Sequence, residues 1–241
     1  MPEISFTVDQ KIFEKVPELQ IVLLLVHSIN AEECNKEGIR ELLSNEWRNV
    51  NTRLSGYENV QSHPRIKAWR ETYQKLGIPI KKLTTSVENL VKRAAKVDSR
   101  IPEINPLVDF YNAVSVKYFI PFGGFDVDSG VCENLELRLS RTGDTFQALD
   151  ADSPIAIPEG EACYTSGHTV VTRHVNWKQS SDGLINNTSK NVLFMAENVI
   201  PGILDEVCQF FMVQCKSLIS RSCEMFIVDK TNTFYRKVYE N

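Results

Sequence analysis

The first quarter of the chain mixes strand-like and helix-like spacing of its apolar residues. The stretches "ISFTV" and "LQIVLLLVHSI" carry the β-branched and apolar runs of strands. The apolar run 21–26 fits a buried strand and is far too short to cross a membrane. Residues 33–54 then place apolar side chains at helical spacing. This region predicts two strands followed by a helix.

Three more helices are predicted before residue 118. The first begins at Pro64 and ends at Gly77, with its apolar residues on one face. The second opens at "TSVE", where Thr85 and Glu88 have the spacing of a capping box. The third is "INPLVDFYNAVSVKY", which begins with an N-cap asparagine and a first-turn proline at 105–106.

After residue 118 the pattern changes to short strands separated by Gly, Asp and Ser turns. The predicted strands are "FDVDSG", "ENLELRLS", "DTFQAL", "ACYTSG", "HTVVTRHVNW" and "NVLFMAE", and "RTGD" predicts a hairpin between two of them. A long amphipathic helix over 204–218 follows. This order predicts an α+β fold, with a β-rich core of sandwich-like mixed sheets flanked by helices.

The domain organisation follows from the same pattern. We expect one domain over residues 65–220, without repeats or low-complexity linkers. Residues 1–64 are expected to form an N-terminal α/β extension packed on that core, and residues 221–241 a C-terminal extension.

One stretch departs from ordinary strand patterning. If "TRHVNWKQS" continued the strand that begins near His168, one face would carry Arg173 between valines, and the other face would be wholly polar. Such a segment is either a solvent-exposed edge or the wall of a pocket for a polar substrate.

Charge and cysteine content narrow the possible partners. The net charge is −4, yet residues 65–100 hold ten Lys and Arg against three acids, which gives +7 there and −11 elsewhere. A solvated helix face and a nucleic-acid surface both fit this segment. The cysteines include no C-x-x-C pair, so we expect buried free thiols, no metal site and no cofactor. Without a signal-peptide pattern, the chain is expected to be a reduced, cytoplasmic protein with no membrane partner.

The sequence lacks three common catalytic and nucleotide-binding motifs. G-x-S-x-G, P-loop and G-x-G-x-x-G patterns do not occur in the sequence. Gly123 and Gly124 are too few to cradle a phosphate, and by themselves they indicate a turn or a close backbone approach.

A set of segments in a fixed order carries a family resemblance. These are "TTSVENLVKRAAK", "INPLVDFYNAVS", "GGFDVDSG", "RLSRTGDTFQALD" and "VVTRHVNWKQS" followed by "NNTSKNVLFMAENV". Together they resemble the B3/B4-type tRNA-editing domain of the phenylalanyl-tRNA synthetase β subunit, and more closely the free-standing proteins that consist of that domain alone. The resemblance covers about residues 65–220.

The resemblance implies a substrate and a site. The substrate would be the ester between an amino acid and the 3′-terminal adenosine of tRNA. Tyr111 and Asn112 align with the family's Thr-Asn pair, and Asn112 would hold a ribose hydroxyl or a carbonyl. Gly123 aligns with a family histidine. The family's recognition acid aligns near Met195, and Glu197, on the same strand face, is the expected replacement.

The polar stretch then becomes the pocket wall. Arg173 would bind a carboxylate or phosphate as a bidentate fork. Asn176 and Thr188 would orient the ester or water, and Glu197 would bind the α-ammonium group or polarise water. Trp177 would stack on the terminal adenine, with a core tryptophan as the alternative. His174 is either a general base or an exposed strand histidine.

The functional expectation combines these assignments. The protein is expected to deacylate a mischarged tRNA in trans, through Asn176, Glu197 and His174, without a metal or a covalent intermediate. Contacts to tRNA are expected from basic residues of the 65–100 segment, namely Lys81, Lys82, Lys92 and Arg93; DNA is not an expected partner. The alternative is a non-catalytic module that binds tRNA or an amino-acid-like small molecule.

Overall fold

The computed structural model describes residues 3–220 and 222–238, which form an α+β fold with two sheets, as predicted. The helices are α1 (Gln10–Lys15), α2 (Lys36–Arg48), α3 (Val50–Arg53), α4 (Pro64–Lys75), α5 (Ser86–Ala94), α6 (Pro106–Tyr118) and α7 (Leu204–Leu218). The strands are β1 (Glu3–Val8), β2 (Gln20–Val26), β3 (Phe122–Asp126), β4 (Leu135–Leu139), β5 (Thr145–Phe146), β6 (Ile155–Ala156), β7 (Ala162–Ser166), β8 (Thr169–Arg173), β9 (Lys178–Gln179), β10 (Val192–Asn198), β11 (Cys223–Val228) and β12 (Phe234–Val238).

The larger sheet is mixed. Its strand order is β12-β1-β4-β7-β8-β5-β6, with β9 paired to β8 beside this path. The pairs β1–β4 and β5–β8 are parallel, and the others in this sheet are antiparallel. The smaller sheet has the order β11-β2-β10-β3 and is antiparallel throughout.

The smaller sheet lies in the middle of the molecule. One face of β2 and β10, with Leu23 and Met195, packs against the larger sheet. The opposite face, with Leu24 and Phe194, packs against α6 and α7. Because both faces are covered, residues 21–26 are all buried, which explains the continuous apolar run in the sequence.

The N-terminal segment takes part in both sheets. β1 lies between β12 and β4, and β2 lies between β11 and β10. The segment therefore supplies interior strands to the core instead of lying on its surface. Its predicted single helix is divided into α2 and α3, which meet at Asn49.

The predicted helix starts are present. Pro64 occupies the first turn of α4, and the Asn105 side chain accepts hydrogen bonds from the second and third backbone N–H groups of α6. Thr85 caps α5 by accepting from the Glu88 N–H at 3.1 Å. The second half of that capping box is not formed, because the Glu88 carboxylate instead binds Arg70 at 3.0 Å and Lys92 at 2.6 Å.

The hairpin predicted at "RTGD" does not form. β4 pairs with β7, while β5 pairs with β6 and, in parallel, with β8. The cause is Asp144, which is fully buried, binds the Arg138 guanidinium at 2.6 Å and accepts from the Arg141 N–H at 2.8 Å. These contacts fold the loop inward and direct β5 away from β4.

The strand predicted through Trp177 ends at Arg173. His174 and Val175 have φ angles of 46° and 64°, so the chain turns sharply and returns as β9, where Lys178 pairs with Arg173. The alternating two-face pattern is therefore wrong beyond this point. Within residues 3–220 and 222–238, none of the helices has the length and apolar character needed to span a bilayer.

Candidate functional site

A cavity of about 250 Å³ opens where the two sheets meet α5 and α6. Its lining comes from α5, the loop before α6, α6 itself, β3, β7, β10 and the β8–β9 hairpin. The lining residues are Ser86, Leu90, Arg93, Pro102, Ile104, Val108, Tyr111, Asn112, Ser115, Phe122, Gly123, Gly124, Phe125, Tyr164, Thr172, Val175, Asn176, Trp177, Lys178, Gln179, Met195 and Glu197. Residues that are distant in the chain thus share one concave surface.

The cavity has a buried polar cluster. Glu197 is 6% exposed, and the Tyr164 hydroxyl donates a hydrogen bond to its Oε1 at 3.0 Å. The Tyr73 hydroxyl donates to Oδ1 of Asn176 at 2.8 Å. Nδ2 of Asn176 is buried and has no hydrogen-bond partner of good geometry in the described part of the chain. A buried donor of this kind is suited to an acceptor on a bound molecule.

Burial raises the pKa of Glu197 to about 8, because the ionised carboxylate loses water on all sides. The Tyr164 hydroxyl and the nearby Asn176 amide oppose this effect and lower the pKa. Asn176 and Glu197 line the same cavity, and Nδ2 of Asn176 makes no hydrogen bond within the described part of the chain. A carboxyl group with this pKa exchanges its proton near neutral pH, as a general base requires.

The helical wall comes from α6. Asn112 is 9% exposed and lines the cavity together with Tyr111, one residue before it. The Tyr111 ring meets Phe194 edge to face, with centroids 6.3 Å apart, and burial raises the pKa of its hydroxyl to about 12. Tyr111 therefore contributes a neutral aromatic surface beside the polar Asn112.

The two adjacent glycines of β3 differ in their surroundings. A Cβ atom on Gly123 would have no heavy atom within 4 Å, so the space beside it belongs to the cavity. A Cβ on Gly124 would lie 2.9 Å from Cδ1 of Ile185 and 3.1 Å from the Leu193 carbonyl oxygen. Gly123 leaves room for a ligand, whereas Gly124 is required by packing.

Four of the predicted site residues lie in the β8–β9 hairpin, and two of them line the cavity. Asn176 and Trp177 line the cavity, and Trp177 is only partly buried, so it is not a core tryptophan. Arg173 and His174 lie outside the lining. Both contact the Glu161 carboxylate, with Arg173 donating from Nε at 3.0 Å and from a terminal nitrogen at 2.6 Å. Burial lowers the pKa of His174, which does not favour a role as a proton carrier.

Thr188 is also outside the cavity. It is exposed, and its hydroxyl donates to Oδ1 of Asn186 at 2.6 Å in a local turn. The side chain therefore stabilises the loop between β9 and β10.

The four basic residues predicted to contact tRNA differ in their surroundings. Arg93 is exposed and lines the rim, and Lys81 and Lys82 are exposed in the turn before α5. Among the described residues these three form no ion pair, whereas Lys92 is held by the buried Glu88. The exposed cationic surface is thus carried by Lys81, Lys82 and Arg93.

Sequence reasoning missed three residues. Tyr164 and Tyr73 hold the polar cluster, and Glu161 holds the turn. Tyr164 lies in a strand with ordinary apolar patterning, and the helical Tyr73 appeared only as part of an apolar stripe. Glu161 follows Gly160 in a loop, where a lone acid carries no signal.

Comparison with known families gives one match. The family described as the B3/4 domain matches residues 68–209, which include every element around the cavity. Comparison with curated proteins gives no significant match.

Proposed function

The chain belongs to the B3/4 domain family, whose domain is tRNA-synthetase-like, and on that premise we propose that it hydrolyses the ester of a mischarged aminoacyl-tRNA. In this proposal the 3′-terminal adenosine and its amino acid occupy the cavity between the sheets. The partner is the tRNA, the reaction occurs in trans, and the cytoplasm is the proposed location.

One observation supports this proposal above the others. Asn112, Asn176 and Glu197 come from α6, the β8–β9 turn and β10, yet all three line one cavity. Glu197 has a pKa of about 8, and Asn176 in the same lining has an amide donor without a hydrogen-bond partner among the described residues. A base and a donor around an open space are the groups that water attack on an ester requires.

The proposed reaction has two steps. Ionised Glu197 accepts a proton from a water molecule as that water attacks the ester carbonyl carbon. The Asn176 amide donates to the carbonyl oxygen as it becomes negative. The intermediate then expels the ribose oxygen, which takes the proton back from Glu197, and the free amino acid leaves. Asn112 holds the ribose, and Trp177 stacks on the adenine.

The ester is activated, so orientation of water and the neighbouring ribose hydroxyl contribute much of the acceleration. The proposed mechanism therefore uses neither a metal ion nor a covalent intermediate. The mechanism assigns no role in the reaction to His174 or Arg173, because both contact Glu161 instead.

A non-catalytic binding module is the second candidate. The open space beside Gly123, where the family resemblance expects a histidine, favours it because that group would be missing from a catalytic site.

A deacylation screen tests the proposal. The purified chain is mixed with tRNAs that carry each proteinogenic amino acid on cognate and non-cognate acceptors, and release of the labelled amino acid is followed. We expect at least one pair to be hydrolysed by the wild type and not by Glu197→Gln. The control is Glu58→Gln, which changes an exposed acid that does not line the cavity. Saturable tRNA binding with no hydrolysis of any pair would instead support the binding module.

A further inference from the structure

The turn that carries Asn176 and Trp177 is strained. His174 and Val175 both adopt positive φ angles, of 46° and 64°, and neither is glycine. A β-branched residue such as Val175 rarely adopts this conformation because its side chain crowds the backbone. Strain of this kind persists only where the surroundings hold the chain in place.

Glu161 supplies the side-chain contacts at the start of this turn, and the Val175 N–H adds a backbone hydrogen bond to the Ala162 carbonyl oxygen at 2.9 Å. Its carboxylate accepts from Arg173 Nε at 3.0 Å, from a terminal Arg173 nitrogen at 2.6 Å and from the His174 backbone N–H at 3.2 Å. The His174 ring nitrogen Nε2 lies 3.4 Å from the same carboxylate. The side chain is only 7% exposed, so water competes little for these contacts.

Glu161 is itself fixed from the other side. Its backbone N–H donates to the Ser140 hydroxyl at 2.8 Å, and its carbonyl oxygen accepts from the Ser140 N–H at 2.7 Å. The carboxylate is therefore anchored to the larger sheet before it reaches the turn.

The far end of the turn meets the cavity. The Asn176 carbonyl oxygen accepts from the Ser86 N–H at 2.8 Å, and the Trp177 N–H donates to the Arg173 carbonyl oxygen at 3.1 Å. The Trp177 ring lies against the Arg173 guanidinium at 5.6 Å and the His174 ring at 5.4 Å. The His174 carbonyl oxygen also accepts from the Asn176 N–H at 2.8 Å, so Arg173 and His174 connect Glu161 to both cavity residues.

We propose that Glu161 is a positioning residue, which holds the 174–177 turn so that Asn176 and Trp177 face the cavity. This proposal rests on the proposed function, in which Asn176 and Trp177 contact the bound aminoacyl-adenosine. Glu161 itself does not touch the substrate and acts through Arg173 and the His174 backbone.

This role has a consequence for Glu197. The groups that face Glu197 are Tyr164 on β7, Asn176 on the turn and, through Asn176, Tyr73 on α4. Glu88 on α5 faces Tyr73 from further away. Asn176 lowers the pKa of Glu197. If the turn relaxes and Asn176 withdraws, the pKa of Glu197 must rise.

The test measures this titration directly. Protein labelled with ¹³C at glutamate carboxyl groups is titrated by NMR, and Glu197→Gln assigns the signal. In Glu161→Ala the Glu197 midpoint is expected to rise by about 0.5–1 pH unit, as for the loss of one polar contact. Glu161→Gln, which keeps one acceptor, should give a smaller rise. Glu159→Gln, an exposed acid in the same loop, should leave the midpoint unchanged.

A second variant covers the case in which Glu161→Ala is unstable. If Glu161→Ala does not fold, Arg173→Ala removes two of the carboxylate's contacts and is expected to raise the midpoint in the same direction. An unchanged Glu197 midpoint in a folded Glu161→Ala, or in Arg173→Ala where that variant is used, would overturn the proposal. The titration needs no substrate, so a wild-type protein that hydrolyses no aminoacyl-tRNA would reject the proposed function and leave this measurement valid.

Discussion

The Tyr164 hydroxyl on β7 donates a 3.0 Å hydrogen bond to Oε1 of Glu197 on β10, and so joins the larger sheet to the smaller one. Met195, on the same face of β10, belongs to the apolar core around this contact. Burial in this core raises the pKa of Glu197, and the hydrogen bond from Tyr164 partly opposes that shift. The protonation of one side chain is therefore tied to the packing of two sheets.

Stability is expected to fall as pH rises between the unfolded and folded pKa values of Glu197. Below about 4.5 the carboxyl is protonated in both states; between 4.5 and about 8 the unfolded chain loses the proton first. The shift corresponds to roughly 5 kcal/mol at full size. Glu197→Gln is expected to remove this penalty, which urea unfolding at pH 5 and pH 9 would measure.

In that experiment the two proteins should have similar free energies of unfolding at pH 5 and differ most at pH 9. Glu58→Gln provides the exposed-acid control and should follow the wild type throughout. If the difference in free energy of unfolding between wild type and Glu197→Gln were the same at pH 5 and pH 9, the raised pKa would be wrong.

Deacylation is expected to rise with pH through about 8, because the ionised form of Glu197 is the active one. Tyr164→Phe removes a hydrogen bond that favours the ionised form, so its rate profile should move to higher pH. Asn112→Ala should lower the rate by about 5- to 150-fold, as expected for the loss of one polar anchor. Rates are measured after subtraction of protein-free hydrolysis, and coincident profiles for wild type and Tyr164→Phe would reject the assignment.

Binding of tRNA is expected to depend on three exposed cations. Changing Lys81, Lys82 and Arg93 to Glu should weaken binding and reduce the slope of log affinity against log salt by about 2–3 units. Lys92 is left unchanged because it neutralises the buried Glu88. The control converts Lys11, Lys15 and Lys230, which are exposed on other parts of the surface. Equal slopes for both triple variants would mean that the 65–100 segment is an ordinary solvated surface that does not contact tRNA.

The two glycines of β3 should respond in opposite ways to substitution. Gly123→Leu enters open space, so it should preserve the fold and block ligand binding. Gly124→Ala brings a Cβ within 2.9 Å of Ile185 and should destabilise the protein by about 1–3 kcal/mol. Thermal unfolding and tRNA binding of both variants separate the effects. A stable Gly123→Leu that binds and deacylates as well as the wild type would mean that this space is not used.

Local signals in the sequence predicted the elements better than their arrangement. The starts of α5 and α6 were predicted because Thr85 and Asn105 bond to N–H groups two or three residues away. The pairing of β2 with β10 was not predicted, because it joins segments far apart in the chain. The turn at His174 and Val175 also had no signal, since neither residue favours a positive φ.

For the site, the family resemblance identified more than the motifs did. It indicated Asn112, Asn176 and Glu197, which all line the cavity. It also indicated Arg173 on the assumption of a continuous strand, and the turn directs that side chain to Glu161 instead. Residue type and order along the chain therefore predicted part of the lining, while the position of each side chain depended on strand ends that only the fold determines.

The central position of β2 also means that this strand stays unpaired for much of the protein's synthesis. Its seven residues "QIVLLLV" are nearly all buried, and their strand partners β10 and β11 are made much later. At about 5–20 residues per second, the roughly 170 residues between β2 and β10 take on the order of 10–30 s to emerge from the ribosome. For that interval β2 is an unpaired apolar strand, which is the kind of segment that aggregates or recruits a chaperone. The strand that packs between both layers of the finished core is therefore open to aggregation during much of synthesis.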